Sequence, residues 1–277
     1  MSLRTFLDSA GTPNHAIAVL GDDAEDPLGE LLETSFTDSE IDVQLEAGQR
    51  ETGSVEIDDT VVAVEGESPI ATDDPLAVLL EDGTPVASSP LSELYETVLA
   101  INSDLFITGA RGLGEIELPD LLTTLTDTRL RLRGYPLSHK EKLLLILLSR
   151  YIEQTAWEAD SGTIRSSFQH LERLEDELGT RRVYERLADT GVDVHLYGMA
   201  EDEVTPAAAL DATVHTGSSA EYRDGWFVVH RPPDPTASDA TPAALVCLEV
   251  EPRIWDSFWT FDPETVVAVD NYIASTL

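Results

Sequence analysis

Apolar residues along this chain recur with two periods, and they are densest at residues 143–148 (LLLILL), where every position is apolar. Six such residues in a row cover the whole circumference of a helix for more than one turn, so that helix must be buried on all sides. Ser138 and Glu141 stand three apart just before it. This is the spacing of a capping box, in which each side chain accepts from the other residue's amide. Residues 138–158 are therefore read as a central buried helix, with Tyr151, Ile152, Thr155 and Ala156 continuing a narrower stripe toward Trp157. Either it is enclosed between the two halves of the chain, or it pairs with its copy in a homodimer through the face from Leu143 to Trp157.

Elsewhere the pattern is mostly that of strands. Before the central helix, residues 16–20 (AIAVL), 41–45 and 60–64 (TVVAV) read as strands, and 76–80 with 84–88 read as a hairpin turning at Asp82-Gly83. Pro27 opens a helix, as a proline can where its missing amide would have no partner anyway, and residues 90–100 return to helical spacing. Beyond the central helix come a strand at 163–168, a polar helical turn at 169–178, a helix capped by Thr180, and a strand at 192–197. Strand, helix and strand in that order make a βαβ unit with parallel strands. Strands at 225–230, 244–250 and 255–261 follow, and Asp262-Pro263 starts a last helix. The expected fold is α/β (or α+β), with two mixed sheets, flanking helices and the helix at 138–158 between them. The expected division is an N-terminal α/β region at 1–134 and a second domain at 135–277.

Composition adds one unusual fact. The chain has 277 residues, 53 acidic against 17 basic, for a formal net charge of -36 spread along its length. Lys140 and Lys142 are the only lysines. So much like charge opposes a compact state unless salt screens it, over about 3 Å at molar concentration. The balance is that expected of a salt-adapted cytoplasmic protein, and it therefore says little about partners. Cys247 is the single cysteine and lies in a strand-like run, and neither CxxC nor HExxH occurs, so no zinc site or other metal is expected. No apolar run reaches the roughly 20 residues of a membrane span. No cofactor motif is present.

Four features are candidates for chemistry. Arg129, Arg131 and Arg133 alternate along 128–134 (TRLRLRG) and, with Lys140, Lys142 and Arg150, face a single acid, Glu141. This is either an anion or acidic-partner patch or an edge strand whose arginines pair with carboxylates and block sheet-to-sheet association. Glycines 109, 112 and 114 with Arg111 invite a phosphate-loop reading, but the order is GxxGxG, no GK[ST] follows, and the next helix begins only near Pro119. His195 and Tyr197 share one face of a strand, and His230 lies on another. A lone histidine on a strand is more often a packing residue. Trp157, Trp226, Trp255, Phe258 and Trp259 form an aromatic concentration able to line a ligand pocket or to fill a core. From these features the ligand-binding candidates are Trp157, His195, Tyr197, Trp226 and Trp259.

From Ser149 onward the order SRYIEQTAWE, SSFQHLERL, TRRVYERLADTGVDVHLYG, GWFVVH, LVCLEV and FWTFDPE resembles the DICT sensory domain. The best-matching pieces are Phe168-Gln169, the YERLA helix from Tyr184 to Ala188 and the strand after it. The section through RGYPLSHKEKLL is similar to acidic, stand-alone forms of salt-adapted archaea. The resemblance implies a signal-input or regulatory module and brings no catalytic residues with it. No GGDEF or GxSxG string is present. The function expected is a noncatalytic sensory module binding a signalling protein or small ligand through its C-terminal domain. The alternative is a winged-helix transcription regulator, in which helices 143–158 and 180–189 would place Arg181, Arg182 and Arg186 on DNA phosphates. A nucleotide-binding enzyme using Gly109 to Gly114 is the third possibility.

Overall fold

The structure, a computed structural model, describes residues 1–11, 15–20, 42–46, 54–57, 60–63, 76–101, 114, 116–133, 142–176, 178–199, 210–252 and 254–277. Helix α1 (Leu3–Ser9) is closed at its start by a capping box between Ser2 and Thr5. After it come β1 (His15–Leu20), β2 (Asp42–Glu46), the antiparallel pair β3 (Ser54–Ile57) and β4 (Thr60–Ala63), and the hairpin β5 (Leu76–Glu81) and β6 (Thr84–Pro90). The hairpin turns where the sequence places it. Asp82 and Gly83 both have positive φ, 50° and 77°, as a two-residue loop matched to strand twist requires. A mixed sheet in the order β2-β1-β5-β6 results, with β1 parallel to β2 and antiparallel to β5.

Helices α2 (Leu91–Ile101) and α3 (Asp120–Thr124) lead to β7 (Leu130–Arg133) and the central helix α4 (Lys142–Ala159). Then follow β8 (Thr163–His170), α5 (Arg173–Asp176), α6 (Leu178–Ala188), β9 (Asp193–Met199) and β10 (Thr213–Thr216). The chain ends with α7 (Ala220–Asp224), β11 (Gly225–Arg231), β12 (Ala243–Glu251), β13 (Ile254–Thr260) and α8 (Pro263–Thr276). The large sheet has seven strands in the order β10-β9-β8-β11-β12-β13-β7. β8 and β9 are parallel, as the βαβ spacing predicts, and β8 is antiparallel to β11. Two mixed sheets in an α/β chain are thus as expected. β10 and α7 were not legible, because four and five residues are too few to show a period.

Alternation along the strands divides the core in two. Trp226 and Val228 of β11 join the apolar cluster under α4, while Phe227 and Val229 join the opposite one. Helices α1 and α8 cover that opposite face with Leu3, Phe6, Leu7, Val266, Val269 and Ile273. The large sheet therefore lies between two helical layers, which is why β12 is buried without a break from Ala243 to Leu248.

The central helix is hidden within the chain. Leu145, Leu147, Leu148, Ile152 and Ala156 are each at most 1% exposed. They share one cluster with Leu91 and Leu94 of α2 and with Ile17 and Leu79 of the smaller sheet. Within LLLILL, Leu145, Leu147 and Leu148 are buried by packing within the chain, and Leu144 and Ile146 are partly buried against the same cluster. The helix is described from Lys142, and Ser138 to Glu141 lie outside the described residues. So do the helix at Pro27, Lys140 and Gly109 to Gly112.

Three expectations change. The division at 134/135 runs through the large sheet, because β7 pairs with β13 at one edge and α1 packs on the face opposite α4. Thr180 does not cap α6, which begins two residues earlier, and its hydroxyl accepts from Arg150 instead. The helices required for a helix-turn-helix, α4 and α6, are separated by β8, an inner strand of the sheet, so the winged-helix arrangement does not form.

Two glycines with positive φ separate strain from crowding. Gly83 (φ 77°) has open space around an added Cβ, whereas at Gly162 (φ 91°) that atom would lie 2.4 Å from the Arg231 carbonyl oxygen. Left-handed backbone alone costs an L-residue about 1–2 kcal/mol. Gly83→Ala is expected to cost about that much, and Gly162→Ala clearly more, in urea unfolding at molar potassium chloride. Equal losses would contradict the close approach of the α4–β8 turn to the end of β11.

Candidate functional site

Helical and strand periods bring a cavity together on the α4 side of the large sheet. Ile146, Ser149, Arg150 and Glu153 fall at i, i+3, i+4 and i+7 on α4, one helical face. Opposite them stand Trp226 and Val228, two apart on β11, with Ser167, Phe168 and Gln169 at the end of β8. Thr180 and Tyr184, four apart on α6, and Arg173 of α5 complete the wall. The cavity volume is about 290 Å³, at the small end of ligand sites, which span roughly 300–1,000 Å³.

A buried ionic network forms one side. Arg150 donates to Glu153 and to Thr180, and the Tyr184 hydroxyl donates to the other Glu153 oxygen at 2.6 Å. Arg150, Glu153 and Thr180 are 6%, 2% and 5% exposed. Burial, and after it the Glu153 carboxylate, pushes the Tyr184 hydroxyl pKa well above its ordinary value, so the hydroxyl stays protonated and donates. Taking two charges out of water is unfavourable unless each is paired and hydrogen-bonded. Here one arginine, one glutamate, a tyrosine and a threonine satisfy one another across two helices.

The mouth is built differently. Gln169 has φ 60° and sits where the β8–β9 register shifts between Ser167 and His170. A non-glycine residue in the left-handed region is uncommon, and such strain gathers at binding sites. The bulge turns Gln169 so that its amide oxygen accepts from Arg173 while its amide nitrogen donates to Glu249 at 3.2 Å. Phe168 meets Tyr184 edge to face, with ring centroids 5.2 Å apart, and Trp226 meets Trp255 at 5.8 Å.

The five residues read from the sequence as ligand-binding do not meet. Trp226 lines the cavity. Trp259 is buried in the core, with its indole N–H donating to the Leu122 carbonyl at 3.2 Å. Trp157 is a partly buried residue of the α4 cluster, its ring 3.4 Å from where a Cβ on Gly114 would sit. The Gly114 amide itself donates to Gln154, as does that of Ile116, both at 2.9 Å.

His195 and Tyr197 belong to the opposite face of the sheet. There the His195 Nδ1 lies 3.0 Å from the His215 Nε2, and the His215 ring stacks on Tyr197 at 4.3 Å. Arg165 joins the Tyr197 hydroxyl at 2.9 Å to Asp270 at 2.7 Å. His230 is fully buried, its ring nitrogens near the Ser161 and Thr241 carbonyls, as a packing histidine would be.

The basic strand is an edge strand. Arg129 and Arg131 of this segment converge on Asp256 at 2.6 and 2.8 Å, with Arg4 of α1 at 3.7 Å. Burial alone would raise the Asp256 pKa, but the hydrogen bonds and charges of Arg131 and Arg129 outweigh it and hold the carboxyl below its ordinary value. Arg133 pairs in register with Ile254, and Lys142 opens α4.

The sequence reading missed most of the cavity: Arg150, Glu153, Phe168, Gln169, Arg173, Thr180 and Tyr184. One signal was present. Arg150 and Glu153 stand three apart inside the most apolar helix of the chain, where a charged pair must either face solvent or be answered from a neighbouring element.

By fold this is an α/β domain whose mixed sheet is covered on both faces, with a small lined cavity beneath its central helix. Residues 120–249 match the family model of DICT, the sensory domain in diguanylate cyclases and two-component system, so that stretch is similar to DICT sensory domains. No curated protein and no solved structure matches the chain. The matched stretch runs from α3 into β12 and holds every element that lines the cavity, together with the edge strand β7. Among the described residues no helix is long and apolar enough to cross a membrane, and no group of three or more His, Cys, Asp or Glu is placed to hold a metal ion.

Proposed function

We propose that the chain is a noncatalytic input module that takes up a small ligand in the cavity between α4, α6 and the large sheet. The observation that carries this is the cavity itself, whose wall holds a mutually satisfied ion pair beside aromatic rings. A core built only for stability would do as well or better with apolar residues at positions 150 and 153. The family resemblance agrees, since Phe168-Gln169 and Tyr184, among its best-matching pieces, all line this space. The acidic composition points to a salt-rich cytoplasm, so the assays belong in molar potassium chloride.

Ligand binding is tested by screening small fragments with saturation-transfer NMR against the native chain and two plugged variants, Val228→Phe and Ile146→Phe. Fragments are expected to bind the native chain and to lose binding in whichever variant keeps its native melting temperature. Binding that survives both plugs, or turnover of a nucleotide by the pure protein, would overturn the proposal.

A further inference from the structure

The ligand's chemical class follows from which cavity groups are already answered. Glu153 accepts from Arg150 on one oxygen and from Tyr184 on the other, so this carboxylate has little left to offer a ligand. Ser149 and Ser167 direct their hydroxyl hydrogens to the Leu145 and Gly225 carbonyls at 2.8 and 3.0 Å. Both ends of the Gln169 amide are taken. The Glu153 carboxylate, the Gln169 amide and the hydroxyl hydrogens of both serines are therefore already engaged within the protein.

The cations are not balanced in the same way. Arg150 is matched by Glu153 within the wall. Arg173, the second lining arginine, donates to a neutral amide oxygen and makes no ion pair among the described residues. In a chain with 53 acidic residues against 17 basic ones, a cavity lined by two arginines and one glutamate runs against the composition. A guanidinium carries five N–H donors and no acceptor, in a planar fork that matches a carboxylate.

Charge alone would not select a ligand in molar salt, where screening reaches about 3 Å and chloride competes for any cation. Selection must come from shape and apolar contact. Trp226, Phe168 and Tyr184 supply aromatic surface, Ile146 and Val228 supply aliphatic surface, and the volume of about 290 Å³ fits one or two rings and no dinucleotide. Resting on the cavity reading above, the geometry points to a small aromatic carboxylate as the ligand. Its ring lies against Trp226 and Phe168 and its carboxylate at Arg173.

The test measures binding of benzoate, benzamide, benzylamine and inorganic phosphate by calorimetry in molar potassium chloride. It uses the native chain, Arg173→Gln, Arg173→Lys and the plugged variants. Benzoate is expected to bind best, and its binding is expected to fall about tenfold in Arg173→Gln, the loss of a charge-assisted hydrogen bond, with benzamide unchanged and partial recovery in Arg173→Lys. Benzamide or benzylamine binding as tightly as benzoate, or benzoate insensitive to Arg173→Gln, would overturn the anionic class while leaving a ligand cavity in place. Phosphate binding as tightly as benzoate would overturn the aromatic part. If none of the four probes binds and the fragment screen is also empty, the cavity reading itself fails.

Discussion

Glu153→Leu is expected to destabilise the protein by about 3–5 kcal/mol, the range for removing one partner of a buried ion pair. The reason lies in what stays behind. Arg150 is 6% exposed and remains charged, because a guanidinium does not deprotonate in proteins. The Tyr184 hydroxyl, fully buried at the α6 side, loses its acceptor at the same time. Leucine restores neither and adds apolar bulk beside a stranded cation. The double variant Arg150→Met with Glu153→Leu removes the charge as well, and is expected to recover most of the loss, since apolar replacements of whole buried pairs are often neutral or stabilising. Urea unfolding of the native chain and both variants in molar potassium chloride reads the comparison. If the double variant is as unstable as the single, α4 and α6 are held by something other than this pair. If it is as stable as the native chain and no longer binds fragments, the pair belongs to the ligand site.

Much of both sheets was legible one strand at a time. The Asp82-Gly83 turn, the parallel β8–β9 pair and the unbroken burial of β12 follow from local pattern. The order of the strands does not, and the cavity depends on that order. Each of its walls shows a period of its own: 146, 149, 150 and 153 on α4, 180 and 184 on α6, 226 and 228 on β11. Nothing in those periods says that the three faces look at one another. That follows from β8 lying between β9 and β11, which sets α4 and α6 above the same part of the sheet.

The ligand candidates lie apart for the same reason. Tyr197 and Trp226 are both aromatic strand residues, yet their registers send them to opposite faces. Arg129 and Arg131 could be read either as a patch or as a paired edge strand, because their carboxylate, Asp256, lies more than a hundred residues away and becomes their neighbour only through the β7–β13 pairing.

Asp270→Asn is expected to cost about 3 kcal/mol or more, for a reason that the opposite face of the sheet makes specific. Asp270 sits on α8, 3% exposed, and receives Arg165 from β8 at 2.7 Å and Arg231 from β11 at 2.9 Å. It is the charge that docks the last helix on the centre of the sheet. Burial works against the Arg165 charge, but the Asp270 carboxylate and the Tyr197 hydroxyl outweigh it and hold the arginine's pKa above its ordinary value. An asparagine of the same shape removes the negative charge and turns at least one N–H donor toward a guanidinium that has only donors. The two arginines are not equivalent. The Arg165 side chain is 11% exposed and cannot turn away, whereas that of Arg231 is 35% exposed and is solvated in part. Arg231→Met is accordingly expected to cost about 1 kcal/mol or less, as for a solvent-accessible pair. Denaturant midpoints of the two variants, measured side by side in molar potassium chloride, separate the contributions. A loss under about 1 kcal/mol for Asp270→Asn would mean that α8 is held by Val266, Val269 and Ile273 alone. In that case the Arg165–Tyr197–His215 chain beneath it would tolerate an unmatched charge, which a buried guanidinium without a carboxylate does not permit at so small a cost.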